Sequence, residues 1–246
     1  MDHTTNAPVA TSPDGFVTPE DVPGREPIEL STGRAKFMGL DLFVMRGVLV
    51  PREETELLAR TAIETIEASG VVAPRVIDMC CGAGNLAVAL AHYVPTARVW
   101  AADLTEPCVE AARHNVRDHG LGDRVIVLPG DLFDAFGGLA LEGSIDAIVC
   151  NPPYISTRKL ETDRKALLVH EPREAFDAGP YGLSIHQRAI AQAAKYLRTG
   201  GWMFCEFGVG QSKQVAMLFD RTREYGPVSF ACDAAGAPRV AMAKKK

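Results

Sequence analysis

SIDAIVCNPPY, residues 144–154, is the stretch on which the chain turns. Ile145, Ala147, Ile148, Val149 and Cys150 form a nearly continuous apolar run, the composition of a strand buried on both faces of a parallel sheet. The run stops at Asn151-Pro152-Pro153-Tyr154. Each proline holds φ near −65° and donates no N–H, so the ladder cannot continue. Asn151 precedes a proline and is therefore pushed into an extended conformation. A stiff loop of carbonyl acceptors and one carboxamide thus sits at the carboxyl end of a core strand, where open α/β sheets bind ligands.

Outward from this strand, apolar runs alternate with segments of helical period. Strands are expected over residues 75–80, 97–103, 124–128 and 202–207. Helices are expected over 53–69, 85–94, 106–119, 184–197 (stopped by Gly200-Gly201) and 211–225. Residues 228–232 and 239–243 read as a terminal antiparallel pair, and 36–50 as an N-terminal β-hairpin. Such alternation predicts an α/β fold with a doubly wound, mostly parallel sheet. Residues 1–23 show no periodicity and read as a flexible arm. Residues 24–70 read as a hairpin plus helix packed on the core, and 71–246 as the catalytic domain. The connection over 155–182 is long enough to be a functional lid or a disordered span.

The 246 residues suffice for one sizeable domain. A net charge of −5, with scattered basic residues, counts against a nucleic-acid enzyme. No apolar run approaches the ~20 residues that span a bilayer. The first residues have neither the basic nor the apolar region of a secretory signal, so a cytoplasmic protein is expected. The six cysteines lack C-x-x-C spacing and paired histidines. They read as reduced, buried thiols rather than zinc ligands or disulfides. His92 and His186 read as helix-face residues.

Asp78-Met79-Cys80-Cys81-Gly82-Ala83-Gly84-Asn85 joins the first core strand to its helix. Gly82 and Gly84 let the backbone bend and approach a ligand, and the helix aims free N–H groups at the same place. The spacing is neither the dinucleotide fingerprint nor a P-loop. Asp78 would repel a diphosphate and suits an ammonium group. Asp103, ending the next strand, suits a ribose diol or a helix N-cap. Asp131-Leu132, after the third strand, suits an adenine amino group beside an apolar contact, or a plain turn. Asp78, Cys80, Gly82, Gly84, Asp103, Asp131, Leu132 and Asn151 together describe a site for an ammonium, a ribose and an adenine without phosphate. S-adenosylmethionine (SAM) has that composition.

At this point the chain resembles the class I, Rossmann-like methyltransferases, and Asn-Pro-Pro-Tyr narrows the resemblance to those acting on planar nitrogen. It is similar to the release-factor glutamine methyltransferases from about Gly24 almost to the end. The shared stretches include Pro51-Arg52-Glu53-Glu54-Thr55-Glu56, DMCCGAG, NPPYI, His170-Glu171-Pro172-Arg173-Glu174-Ala175, Glu206-Phe207-Gly208 and Pro238-Arg239-Val240. Two departures stand out. Cys80 occupies the first glycine position of the family's D-x-G-x-G-x-G, and only unpatterned residues stand where the family carries an N-terminal helical lobe.

The resemblance implies a SAM-dependent N-methyltransferase. Asn151 and Pro152 would accept both N–H bonds of a planar NH₂ on which Tyr154 stacks, and Pro153 and Arg173 would contribute to the substrate pocket. Arg52 and Glu56 would shape the substrate or donor pocket, or the acids there would simply mark a surface helix start. Arg173 would clamp a substrate carboxylate or pair with Glu171 or Asp177. The acceptor would be a protein glutamine side chain or a small amino-acid-like metabolite. A small-molecule enzyme using the aminocarboxypropyl arm of SAM is the second reading, and adenine methylation of nucleic acid the third.

Overall fold

A computed structural model describes residues 27–162 and 165–246; the arm expected over 1–23 lies outside them. The described chain opens with a short helix, α1 (Ile28–Thr32), which the sequence reading did not contain. A hairpin follows, β1 (Arg34–Phe37) and β2 (Leu40–Phe43). Its residues alternate between exposed and buried, and its two-residue turn, Met38-Gly39, has positive φ at both positions (48° and 79°), the geometry whose twist matches paired strands. The hairpin begins and ends earlier than expected: residues 44–50 leave it as irregular chain, and a 3-10 turn at Glu53–Thr55 leads into α2 (Glu56–Ala68).

The remaining elements are β3 (Arg75–Met79), α3 (Asn85–Tyr93), β4 (Arg98–Asp103), α4 (Glu106–Asp118), β5 (Val125–Pro129) and β6 (Ile145–Cys150). After these come α5 (Thr157–Thr162), α6 (Ser184–Tyr196), β7 (Leu197–Glu206), α7 (Ser212–Thr222), β8 (Ser229–Cys232) and β9 (Pro238–Lys244). The seven-stranded sheet has the order β5-β4-β3-β6-β7-β9-β8. Strands β3 to β7 are parallel, and β9 pairs antiparallel to β7 and β8. The chain runs outward from β3 to β5, then returns to place β6 on the other side of β3. Their carboxyl ends therefore flank the crevice where such folds bind ligands.

Successive strand residues serve opposite faces. Val76 joins the apolar cluster that contains the hairpin's Phe37 and Leu42, Leu58 of α2 and Leu90 of α3; Ile77 and Met79 join the cluster with Ile190 of α6 and Phe219 of α7. The largest boundary difference is β7, which starts directly after α6 and runs through Gly200-Gly201. Glycine is needed there because a Cβ on Gly201 would lie 2.9 Å from the Ile145 carbonyl oxygen. The two glycines are part of a strand and not a helix stop. The connection over 155–182 carries α5 and 3-10 turns at Lys165–Val169 and Arg173–Ala175. It is stitched back to the end of β6 by Ile155 N–H to the Phe176 carbonyl (3.0 Å) and Ala178 N–H to the Ile155 carbonyl (2.9 Å).

Candidate active site

The carboxyl ends of β3, β4, β5 and β6 gather the expected donor-binding residues. After β3 the backbone turns through left-handed conformations at Cys80 (φ 59°), Gly82 (53°) and Gly84 (77°). The glycines have different reasons. A Cβ on Gly84 would sit 2.9 Å from the Ala112 Cβ of α4, so this glycine lets two helices meet; nothing lies within 4 Å of one on Gly82, which faces open space. Asp78 is fully buried. Its Oδ2 accepts the Ala87 N–H of α3 at 2.9 Å, and Oδ1 has no partner among the described residues. Burial pushes its carboxyl well above the usual range, against the Ala87 hydrogen bond, and the Asp103 charge adds to the rise.

Asp103 joins the two halves of this cradle. Its Oδ2 accepts the Gly82 N–H (2.9 Å) and its Oδ1 the Thr105 N–H (3.1 Å). α4 itself has no side-chain cap. Asp131 stands half-exposed after β5 and pairs with Arg188 of α6 at 2.8 Å. Leu132 beside it is buried with φ 51°, an uncommon conformation for a large side chain. An orphaned buried carboxylate oxygen, an open glycine turn at a helix start and an acid ending the neighbouring strand fit a cationic nucleoside such as SAM. The sulfur atoms around the cradle are thiols: Cys80 lies against Cys150, which with burial raises its pKa well above the ordinary value, and burial raises that of Cys81 as well.

Beyond Asn151 lies a slot lined by Leu49, Arg52, Glu54, Asn151, Pro152, Tyr154, Ile155, Ala175, Phe176 and Glu206. Asn151 Nδ2 donates to Thr55 Oγ1 at 3.0 Å. Among the described residues no donor reaches Asn151 Oδ1 or the Pro152 carbonyl. Glu206 ends β7, is 2% exposed, receives the Tyr154 hydroxyl at 3.4 Å on Oε1, and has the Thr55 hydroxyl beside it. Its Oε2 has no partner among the described residues. Burial pushes its pKa up to about 7; Thr55 and Arg239 oppose the rise and Glu54 adds to it. Gln211 braces the loop, accepting the Gly208 N–H (2.9 Å) and donating to the Tyr154 carbonyl (3.0 Å).

The other expected substrate residues separate. Arg52 lines the slot and pairs with buried Glu171, which also accepts the Val50 N–H at 3.0 Å. Arg52 Nε is buried without a partner among the described residues. Glu56 lies outside the slot and accepts the Met38 N–H of the hairpin turn at 2.6 Å. Pro152, not Pro153, lines the slot. Arg173 is exposed and pairs with Asp177 (2.8 Å) and Glu161 (3.2 Å) rather than with Glu171. Residue-level reading assigned no role to Thr55 or Glu206. The available signal for Glu206 was an acid closing the apolar run WMFCEF, the pattern that had already singled out Asp103. His186 is fully buried. Its ring meets the Glu206 carbonyl through Nε2 at 2.8 Å. A carbonyl only accepts, so Nε2 carries the proton.

Cradle, slot and strand order together define a class I SAM-dependent methyltransferase, in which the donor supplies a methyl group on a sulfonium. Residues 54–180, slightly more than half of the chain, match the family described as Methyltransferase small domain. A release factor glutamine methyltransferase of Streptomyces coelicolor is 37% identical over 221 residues, covering 90% of this chain and 76% of that protein. The 4-amino-L-phenylalanine/4-methylamino-L-phenylalanine methyltransferase of Streptomyces pristinaespiralis is 40% identical over 208 residues, covering 83% and 69%. The T. thermophilus 16S rRNA N2 G1207 methyltransferase, solved with AdoMet and guanosine, shares the fold: TM-score 0.62 at 21% identity, over 87% of this chain and 50% of that one. The chain belongs to the Methyltransferase small domain family, and several of its relatives are named release factor glutamine methyltransferases.

Proposed function

We propose that the slot receives a primary carboxamide, the side chain of a glutamine, and that the enzyme methylates its nitrogen. The observation that carries this reading is a pair of acceptors without a donor among the described residues, Asn151 Oδ1 and the Pro152 carbonyl, on residues lining the same slot as Arg52, whose Nε has no acceptor among them. A carboxamide complements both kinds of group: its NH₂ gives two hydrogen bonds and its carbonyl takes one. An amide nitrogen is a poor nucleophile because its lone pair is delocalised into the carbonyl. Holding both N–H bonds fixes the nitrogen for attack and stabilises the positive charge that grows there in the transition state. The methyl–sulfur bond breaks as the carbon–nitrogen bond forms, and the nitrogen then releases one proton.

The slot's volume is about 20 Å³, when a single water needs on the order of 10–15 Å³. Room for about one water is less than either acceptor needs, so the lining must open for both, and further for an aromatic ring than for an amide tip. The second reading, an aromatic amine on a small amino acid, is favoured by the apolar lining and by the name of the Streptomyces pristinaespiralis relative. Mass spectrometry of purified enzyme with SAM and a panel of glutamine peptides, free glutamine and 4-aminophenylalanine separates the two. S-adenosylhomocysteine with a methylated peptide supports the carboxamide reading, methylated aminophenylalanine the second, and methylthioadenosine would overturn methyl transfer altogether. Asn151→Ala is expected to lower kcat about a hundredfold while S-adenosylhomocysteine binding, measured by calorimetry, changes less than threefold.

A further inference from the structure

The Thr55 hydroxyl has a single proton and two side-chain neighbours, Asn151 Nδ2 at 3.0 Å and the Glu206 carboxylate. A carboxamide nitrogen only donates, so Thr55 accepts on that side and its own proton is left to turn to the Glu206 carboxylate beside it. An ionised Glu206 can only accept, and the chain Asn151 to Thr55 to Glu206 then has one direction. Its far end leaves Asn151 Oδ1 for the slot.

We propose that Glu206 and Thr55 are positioning residues for methyl transfer: the charge on Glu206, relayed by the Thr55 hydroxyl, sets which end of the Asn151 carboxamide meets the acceptor. A protonated Glu206 can donate to Thr55, which then turns its own proton towards Asn151. The carboxamide answers by rotating half a turn, and its NH₂ meets the acceptor's NH₂, donor against donor. The pocket makes this switch accessible near neutrality. Glu206 is buried, it faces Glu54 as a like charge, and Arg239, Arg52 and the Tyr154 hydroxyl lie around it. His186 meets only its main-chain carbonyl. The catalytic consequence rests on the carboxamide reading; the orientation of Asn151 does not.

The test uses the full chain. In wild type, kcat should rise about tenfold as pH increases through about 7. Glu206→Gln keeps the shape and removes the titration, so its kcat should be pH-independent over that range. Thr55→Val, isosteric without the hydroxyl, should lose about tenfold in kcat with unchanged S-adenosylhomocysteine affinity, and Thr55→Ser should recover the pH dependence. Independently of any acceptor, the Asn151 side-chain ¹⁵N–¹H₂ resonances, assigned by their loss in Asn151→Ala, should shift with pH through the same midpoint in wild type and stay fixed in Glu206→Gln. Resonances that do not titrate in wild type, or that titrate unchanged in Glu206→Gln, overturn the proposal. If they titrate as stated while no acceptor in the panel is methylated, the acceptor assignment fails and the positioning role stands.

Discussion

Single residues in the loop after β3 carry distinct physical duties. Cys80 holds φ 59°, a left-handed conformation that costs a residue with a Cβ roughly 1–2 kcal/mol, at the position where the family has glycine. Its thiol lies against that of Cys150 at the end of the neighbouring strand. Gly82 and Gly84 look alike in sequence and differ in surroundings. Gly84→Ala forces a methyl to within 2.9 Å of Ala112 and should destabilise the fold by about 2–3 kcal/mol. Gly82→Ala projects its methyl into open space, so its stability cost should be nearer 1 kcal/mol and its main effect a tenfold or greater loss of donor affinity. Urea unfolding and calorimetry with S-adenosylhomocysteine separate the two. A larger stability loss in Gly82→Ala than in Gly84→Ala would contradict the assignment.

At the scale of elements, the chain uses side chains from one element to finish the backbone bonding of another. Asn115 of α4 accepts the Phe43 N–H (2.7 Å) and donates to the Phe43 and Ala83 carbonyls (2.9 and 2.8 Å), tying the hairpin to the glycine turn. Glu171 does the same for the connection over 155–182, reaching both Val50 N–H and Arg52. Glu171→Ala should therefore cost about 2–4 kcal/mol, accelerate amide exchange across residues 165–178, and raise the acceptor KM more than it lowers kcat. Glu171→Gln, which still accepts from Val50, should restore most of the protection; uniform exchange in all three proteins would remove the tie. These links also mark where the sequence stops being legible. Strand β6, its proline stop and the acids at the ends of β3, β4 and β7 lie in local pattern, because period and punctuation act over a few residues. Thr55 meets Asn151 across 96 positions and Asn115 meets Phe43 across 72. Nothing local announces such partners. His186 sits at helical spacing like any core residue, and only the fold reveals that it meets Glu206.

For the molecule as a whole, the site has a consequence in stability against pH. Glu206 has its pKa raised from the ordinary 4.5 to about 7. Between those values the unfolded chain has released a proton that the folded chain keeps, so this group makes stability fall as pH rises and adds no further change above about 7. His186, buried and neutral, has its pKa lowered from 6.5 to about 4. There the unfolded chain holds a proton that the folded chain refuses, and stability rises with pH across that window. Where the windows overlap, the two slopes oppose and largely cancel in wild type. Glu206→Gln removes one of them while leaving an amide of the same shape that can still accept from Tyr154. The variant should match wild type near pH 4.5 and exceed it above pH 7 by on the order of 3 kcal/mol, with kcat independent of pH over that range. Urea unfolding of both proteins at pH 5 and pH 8 decides the matter. A gap that is constant, or that widens towards acid, means that Glu206 is not held protonated by its burial. A gap that opens between pH 5 and 8 means that the enzyme carries a charged carboxylate beside its acceptor slot at the expense of fold stability, an arrangement expected of a residue kept for its role in the reaction and not for packing.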